Sequence, residues 1–158
     1  RSTTMTTKLA PTHNQLWRLL ITAHVRLIDR VEQHLKQAGL PPLEWYDVLW
    51  ALKETPDQRL RLSELADAVL LSRSNLTRLL DRLEKAGLLT REACPSDRRG
   101  TFAVLTPAGA TLQQQMWEIY SQRIAEDLSA HLEDGDVRVM TNALSQILKA
   151  EQPEIQAR

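Results

Sequence analysis

Between Ser72 and Arg78 the chain places Arg73, Ser74, Asn75 and Thr77, a run of side chains that can all donate hydrogen bonds. An arginine can give a bidentate pair to a guanine edge and an asparagine to an adenine edge, while the Ser72 and Thr77 hydroxyls suit phosphate oxygens. A second candidate set lies in CPSDRRG, Cys94 to Gly100, where Asp97 precedes the adjacent Arg98 and Arg99. Two guanidiniums on a turn carry charge that a nucleic-acid groove attracts. Taken singly, each set is ordinary solvated surface, because polar residues on an exposed face are the default. The elements that must position them decide between the two readings.

Ser72 stands where a helix N-cap would, and the helix it opens is expected over Arg73 to Ala86, closed by Gly87. Leu76, Leu79, Leu80 and Leu83 recur at i, i+3, i+4 and i+7 and face a core, which leaves Arg73, Ser74, Asn75, Thr77, Arg78 and Arg82 on the polar side. Ser63 is expected to cap a short preceding helix, Glu64 to Leu70, whose Ala66 allows close packing; together the two read as a helix-turn-helix. Leu70 stands in the turn where glycine often sits, which predicts a slight tilt between the helices. CPSDRRG joins two strand-like runs, Leu88 to Ala93 and Thr101 to Thr106, into a β-hairpin with the arginines at its tip. RLRL, Arg59 to Leu62, alternates like a very short strand.

Long helices bracket this centre. The first is expected over Asn14 to Ala38, ended by Gly39 and Pro41-Pro42, and the second over Glu44 to Thr55, closed by Pro56. Thr106-Pro107 opens a helix to about His131, Glu133 to Asp136 break the chain, and a last helix covers Val137 to Ala150. Leu16, Trp17, Leu20, Ala23, Leu27, Ile28, Val31 and Leu35 make the first helix apolar over more than the roughly 100° stripe of a helix resting on one core. The last helix adds Val137, Met140, Leu144, Ile147 and Leu148. One small core cannot cover both, so a dimer is expected.

The 158 residues suit a single domain. Lys+Arg and Asp+Glu are 20 each, yet Ser72 to Gly100 holds seven basic residues against four acidic ones, so that window is +3 and the remainder −3. One cysteine leaves no internal disulfide and fits a reducing, cytoplasmic setting. No apolar run is long enough to span a bilayer, and Arg1 to Thr4 are set aside from the fold reading. Catalysis is not expected: there is no G-x-S-x-G, and five glycines form no phosphate loop. His13, His24, His34 and His131 lack metal-ligand spacing, so neither a metal site nor a cofactor is expected. Cys94, beside Arg91, Arg98 and Arg99, keeps a redox-sensing alternative open, although no second cysteine could resolve a sulfenic acid. A protein-interaction module is a further alternative, and its recognition face would be apolar or acidic where this one is basic and polar.

Taken together, LSRSNLTRLLDRLEKAGLL (Leu71 to Leu89), DRR (Asp97 to Arg99) and LTPAG (Leu105 to Gly109) resemble the MarR family of winged helix-turn-helix transcription regulators, over about Asn14 to Ala150. The resemblance implies a mainly α fold with a small β-hairpin wing and long N- and C-terminal dimerisation helices. Residues 44–106 would form the DNA-binding lobe, 14–38 and 107–150 the dimerisation region, and 1–13 and 151–158 flexible termini. It implies double-stranded DNA as partner, with Ser72, Arg73, Ser74, Asn75, Thr77 and Arg78 on the reading helix and Arg98 and Arg99 entering the minor groove, Arg99 clamped by the Asp97 carboxylate. It also implies a homodimer on a pseudo-palindromic operator, acting as a repressor. A small aromatic or lipophilic anion would bind beside the first two helices, near Trp17, His24, Trp45, Tyr46 and Trp50. Aromatics at helical spacing also serve simply as core, and a hydrogen-bonded core histidine is the commoner role for His24.

Overall fold

The computed structural model describes residues 7–156, apart from the side chains of Arg73, Arg98 and residues 152–156. The chain divides into two compact units, residues 1–120 and 121–158. In order, the elements are α1 (Pro11–Gln37), α2 (Leu43–Lys53), β1 (Arg59–Arg61), α3 (Leu62–Ala68), a 3-10 turn (Arg73–Asn75), α4 (Leu76–Lys85), β2 (Leu89–Cys94), β3 (Asp97–Leu105), α5 (Pro107–Asp127), a second 3-10 turn (Ser129–His131) and α6 (Asp134–Gln156). The three strands form one antiparallel sheet in the order β1-β3-β2. The fold is therefore mainly α with a small hairpin, as the sequence implies.

One core holds the first unit's centre. Val48, Leu49 and Leu52 of α2, Leu65 of α3, Leu79, Leu80 and Leu83 of α4, and Leu89, Ala103 and Leu105 of the sheet are buried together, with Leu76 packed against them. The leucine stripe of α4 thus meets its core as expected, each fully buried leucine contributing about 1.5–3 kcal/mol. A second cluster joins Val31 and Leu35 of α1 to Leu43 and Tyr46 of α2 and Met116 of α5. Only the C-terminal half of α1 is seated there; Leu16, Trp17, Leu19, Leu20, Ile21 and Val25 stay exposed.

Local chemistry sets the boundaries. Gly39 and Gly87 take left-handed φ values of 71° and 76°, as helix-ending glycines do. Thr106 caps α5 through its Oγ1, which accepts the Gly109 N–H at 3.1 Å and donates to the Gly87 carbonyl at 2.7 Å. Gly109 has no room for a side chain: a Cβ there would lie 2.0 Å from the Leu88 carbonyl oxygen. LTPAG is thus a joint that presses α5 onto the start of β2.

Several expected boundaries are corrected. Ser63 lies inside α3, which begins at Leu62 without a side-chain cap. Of residues 133–136, read as a break, only Glu133 lies outside a helix: α6 begins at Asp134, and the Asp136 carboxylate accepts the Glu133 N–H at 3.0 Å, closing the helix start. Helix also reaches into both ranges read as flexible tails, since α1 begins at Pro11 and α6 runs to Gln156; residues 1–6, 157 and 158 lie outside the described residues. Among the described residues no helix is long and apolar enough to cross a membrane.

Candidate nucleic-acid interface

The helix-turn-helix consists of α3, a four-residue turn, the 3-10 turn Arg73–Asn75 and α4. The reading helix does not start as a capped α-helix. Ser72 is fully buried, and its hydroxyl donates to Asp47 Oδ2 at 2.9 Å instead of capping the helix. Its carbonyl accepts the Asn75 N–H at 3.2 Å, which tightens the first turn to 3-10 geometry. Ser72, expected to face phosphate, is therefore turned inward. Leu70, by contrast, needs no glycine in the turn: Gln58 alone among the non-glycine described residues has a positive φ.

Ser74, Thr77 and Arg78 are exposed and Asn75 half-buried, and together with Leu76 they line an open polar concavity of about 400 Å³. The backbone of Arg73 lies in the 3-10 turn, while its side chain is outside the described residues. Arg78, Arg82 and Lys85 are exposed along α4, and none of them forms an ion pair among the described residues. Arg91 departs from them. Its guanidinium pairs with Asp81 and Glu84, the latter at 3.4 Å, and its backbone N–H donates to Glu84 at 2.8 Å. A residue counted with the basic window thus serves to lock β2 to the reading helix, and its pKa is raised, first by the Asp81 hydrogen bond.

In the hairpin, Pro95 and Ser96 form the turn and Asp97 to Gly100 already belong to β3. Cys94 pairs with Asp97 and Ala93 with Thr101, so Arg98, Arg99 and Gly100 form an irregularity beside the turn rather than its tip. The expected carboxylate-guanidinium clamp takes another form: Asp97 Oδ1 accepts the backbone N–H of Arg99 at 3.0 Å. Such a turn fixes the main chain and leaves the exposed Arg99 side chain to solvent or a partner. The Arg98 side chain lies outside the described residues. Cys94 is buried under Gly100, where a Cβ would come within 3.0 Å of its own, and its thiol is held below the usual value by Ser96, 3.3 Å away.

The expected ligand residues do not come together as one group. Tyr46 and Trp50 stack at 6.4 Å, and α5 covers them with Trp117 and Tyr120, whose rings lie 6.0 and 5.1 Å from Tyr46. Trp45 packs on the opposite side, against the main core. Trp17 is 60% exposed on α1, and His24 is exposed rather than a core histidine. Beneath the stack Lys53 Nζ donates to the buried Gln113 at 2.8 Å, and Gln113 Nε2 donates to the Tyr46 hydroxyl at 3.5 Å. Burial raises the pKa of both tyrosines, and for Tyr120 the Asp47 charge adds to it.

Sequence reasoning missed Asp47, Arg91, Trp117 and Gln113 as members of these assemblies. MWEIY (Met116 to Tyr120) carries the aromatic spacing on α5, but Asp47 has no local signal, since its partners lie 23 to 25 residues away.

The chain is similar to known proteins over most of its length. The MarR family model matches residues 38–100. The HTH-type transcriptional regulator MhqR of Bacillus subtilis (strain 168) is 33% identical over 133 residues, 84% of this chain and 89% of that protein. AbsC, a MarR family transcriptional regulator from Streptomyces coelicolor, has a TM-score of 0.83 at 31% identity, covering 94% of this chain and 99% of its own. Sco3205, a MarR family transcriptional regulator from the same organism solved in complex with DNA, has a TM-score of 0.86 at 29% identity, covering 96% and 94%.

Proposed function

Because this chain belongs to the MarR family of DNA-binding transcription regulators, we propose that it binds a pseudo-palindromic operator as a homodimer and represses transcription until a small effector releases it. The observation that carries the reading is the two-sided α4: buried leucines beneath, with Ser74, Asn75, Thr77 and Arg78 above and no capping side chain over the helix start. Residues 44–106 form the DNA-reading lobe. Two copies of α4 would enter major grooves about 34 Å apart, each with Arg98 and Arg99 at the neighbouring minor groove. Residues 14–38 and 107–150 dimerise, which is supported by the exposed apolar side chains on α1 and on α6, where Val137, Met140, Leu144, Ile147 and Leu148 are all more than 40% exposed. Its relatives are regulators, not enzymes.

For the effector, the stack of Tyr46, Trp50, Trp117 and Tyr120 supports a flat aromatic or lipophilic anion, because Trp50 and Trp117 remain about 40% exposed beside the Lys53 ammonium. Selection of bound sequences from random duplex DNA tests the operator. An inverted repeat is the expected product, and no enrichment would remove the reading. Tryptophan fluorescence titrations with aromatic carboxylates, with and without operator, test the effector: the factor by which a ligand weakens operator must equal the factor by which operator weakens the ligand.

A further inference from the structure

The turn that leads into the reading helix runs from Val69 to Ser72. Leu70 and Leu71 point outward, 83% and 42% exposed, and no side chain caps the helix start. Val69 is buried in the core below them, and its N–H ends α3 on the Leu65 carbonyl at 3.1 Å.

The next three residues are held by one carboxylate on another helix. Asp47 of α2 accepts the Leu70 N–H at 3.2 Å on Oδ1 and 3.0 Å on Oδ2, the Leu71 N–H at 2.6 Å and the Ser72 hydroxyl at 2.9 Å. Three consecutive residues hang on one side chain. Hydrogen bonds to an ionised acceptor are shorter and roughly twice as strong as neutral ones. Because they engage adjacent residues, they set both the height and the rotation at which the chain enters Arg73–Asn75.

We propose that Asp47 is a positioning residue for sequence readout: it seats the start of the reading helix so that Ser74, Asn75, Thr77 and Arg78 meet base edges in register. The inference rests on the DNA-reading assignment of α4 and goes beyond it, since Asp47 lies on α2 and acts through the turn it holds. Base-edge contacts demand geometry, whereas phosphate contacts tolerate displacement and respond to net charge. Loosening the seat therefore costs specific affinity, while removing the carboxylate's negative charge from this lobe favours non-specific binding. A residue that only stabilised the fold would lower both together.

The test compares the parent with Asp47→Ala, Asp47→Asn and Ser72→Ala, by dissociation constants for the selected operator and for a random duplex at one salt concentration. For Asp47→Ala, operator affinity is expected to fall about 10- to 100-fold, the scale of one lost bidentate base contact, with random-duplex affinity unchanged or raised. Asp47→Asn, which keeps one acceptor oxygen, should fall between it and the parent. Ser72→Ala should lose less, with no gain on random DNA. Amide exchange at Leu70 and Leu71 should quicken in both Asp47 variants. If Asp47→Ala does not fold, Asp47→Asn and Ser72→Ala carry the same comparison. Equal losses on both duplexes, or unchanged operator affinity in Asp47→Asn, would overturn the assignment of Asp47 and leave the operator reading intact. A parent that selects no sequence would overturn both.

Discussion

At the scale of single residues, the hairpin shows a carboxylate acting on the main chain. Asp97 accepts a main-chain N–H from Arg99, so it shapes the segment that presents Arg98 and Arg99. Asparagine can make the same bond. Asp97→Asn is therefore expected to keep DNA affinity within about 3-fold of the parent, whereas Asp97→Ala should weaken it by about 5- to 10-fold, the loss of one modest hydrogen bond. Fluorescence anisotropy with labelled operator measures both. Equal losses in the two variants would restore the carboxylate-guanidinium clamp. The Arg91 contacts to Asp81 and Glu84 are the converse case, where an arginine in the basic window is spent on architecture.

Elements meet at two joints. At the first, α5 rests on the Leu88 carbonyl through Gly109. Gly109→Ala would place a carbon 2.0 Å from that oxygen, so helix or strand must move. Overpacking of this kind costs about 1–3 kcal/mol, and a chain of this length loses about 2–4 °C of Tm per kcal/mol, so thermal unfolding should show a fall of about 2–12 °C. At the second joint, α2 and α5 share the aromatic stack, which contains both tyrosines of the chain. Both phenols have raised pKa values, chiefly through burial. The folded state thus holds these protons more tightly than the unfolded state does. Their contribution to stability is complete below the ordinary tyrosine pKa of about 10 and is lost as pH rises through the folded values. Absorbance at 295 nm should show tyrosinate forming at higher pH in the native protein than in urea. Coincident curves would mean that the stack is open to solvent.

For the whole molecule, the question is what covers α1 and α6. Leu16 and Trp17 are 62% and 60% exposed, and Ile147 and Leu148 are 54% and 62% exposed. Runs of large apolar side chains on long helices mark association surfaces rather than ordinary exterior. A second copy would bury them, and a charge placed there would oppose it. Leu16→Glu and Ile147→Glu should each shift the mass in sedimentation equilibrium from twice 18.0 kDa toward 18.0 kDa and weaken operator binding. An unchanged mass in both variants would exclude these helices from the interface.

Periodicity alone determined much of this protein. The leucine stripe of α4, the glycines that end α1 and α4, the Thr106-Pro107 helix start and the hairpin order were all legible, because each depends on residues within a few positions of one another. The motifs LSRSNLTRLLDRLEKAGLL, DRR and LTPAG pointed to the family on the same local basis. Only the tertiary structure decided which polar groups face outward. Ser72 carries the right side chain for a cap, but it is turned inward, where its hydroxyl donates to Asp47, 25 residues away, and it makes no cap hydrogen bond. Trp45 and Tyr46 are neighbours in sequence yet belong to different clusters, because α2 is wedged between the main core and α5. Asp47, Arg91, Trp117 and Gln113 acquire their roles from distant partners. Hydrogen-bond competition and burial depend on what folding brings alongside, and no local pattern encodes that.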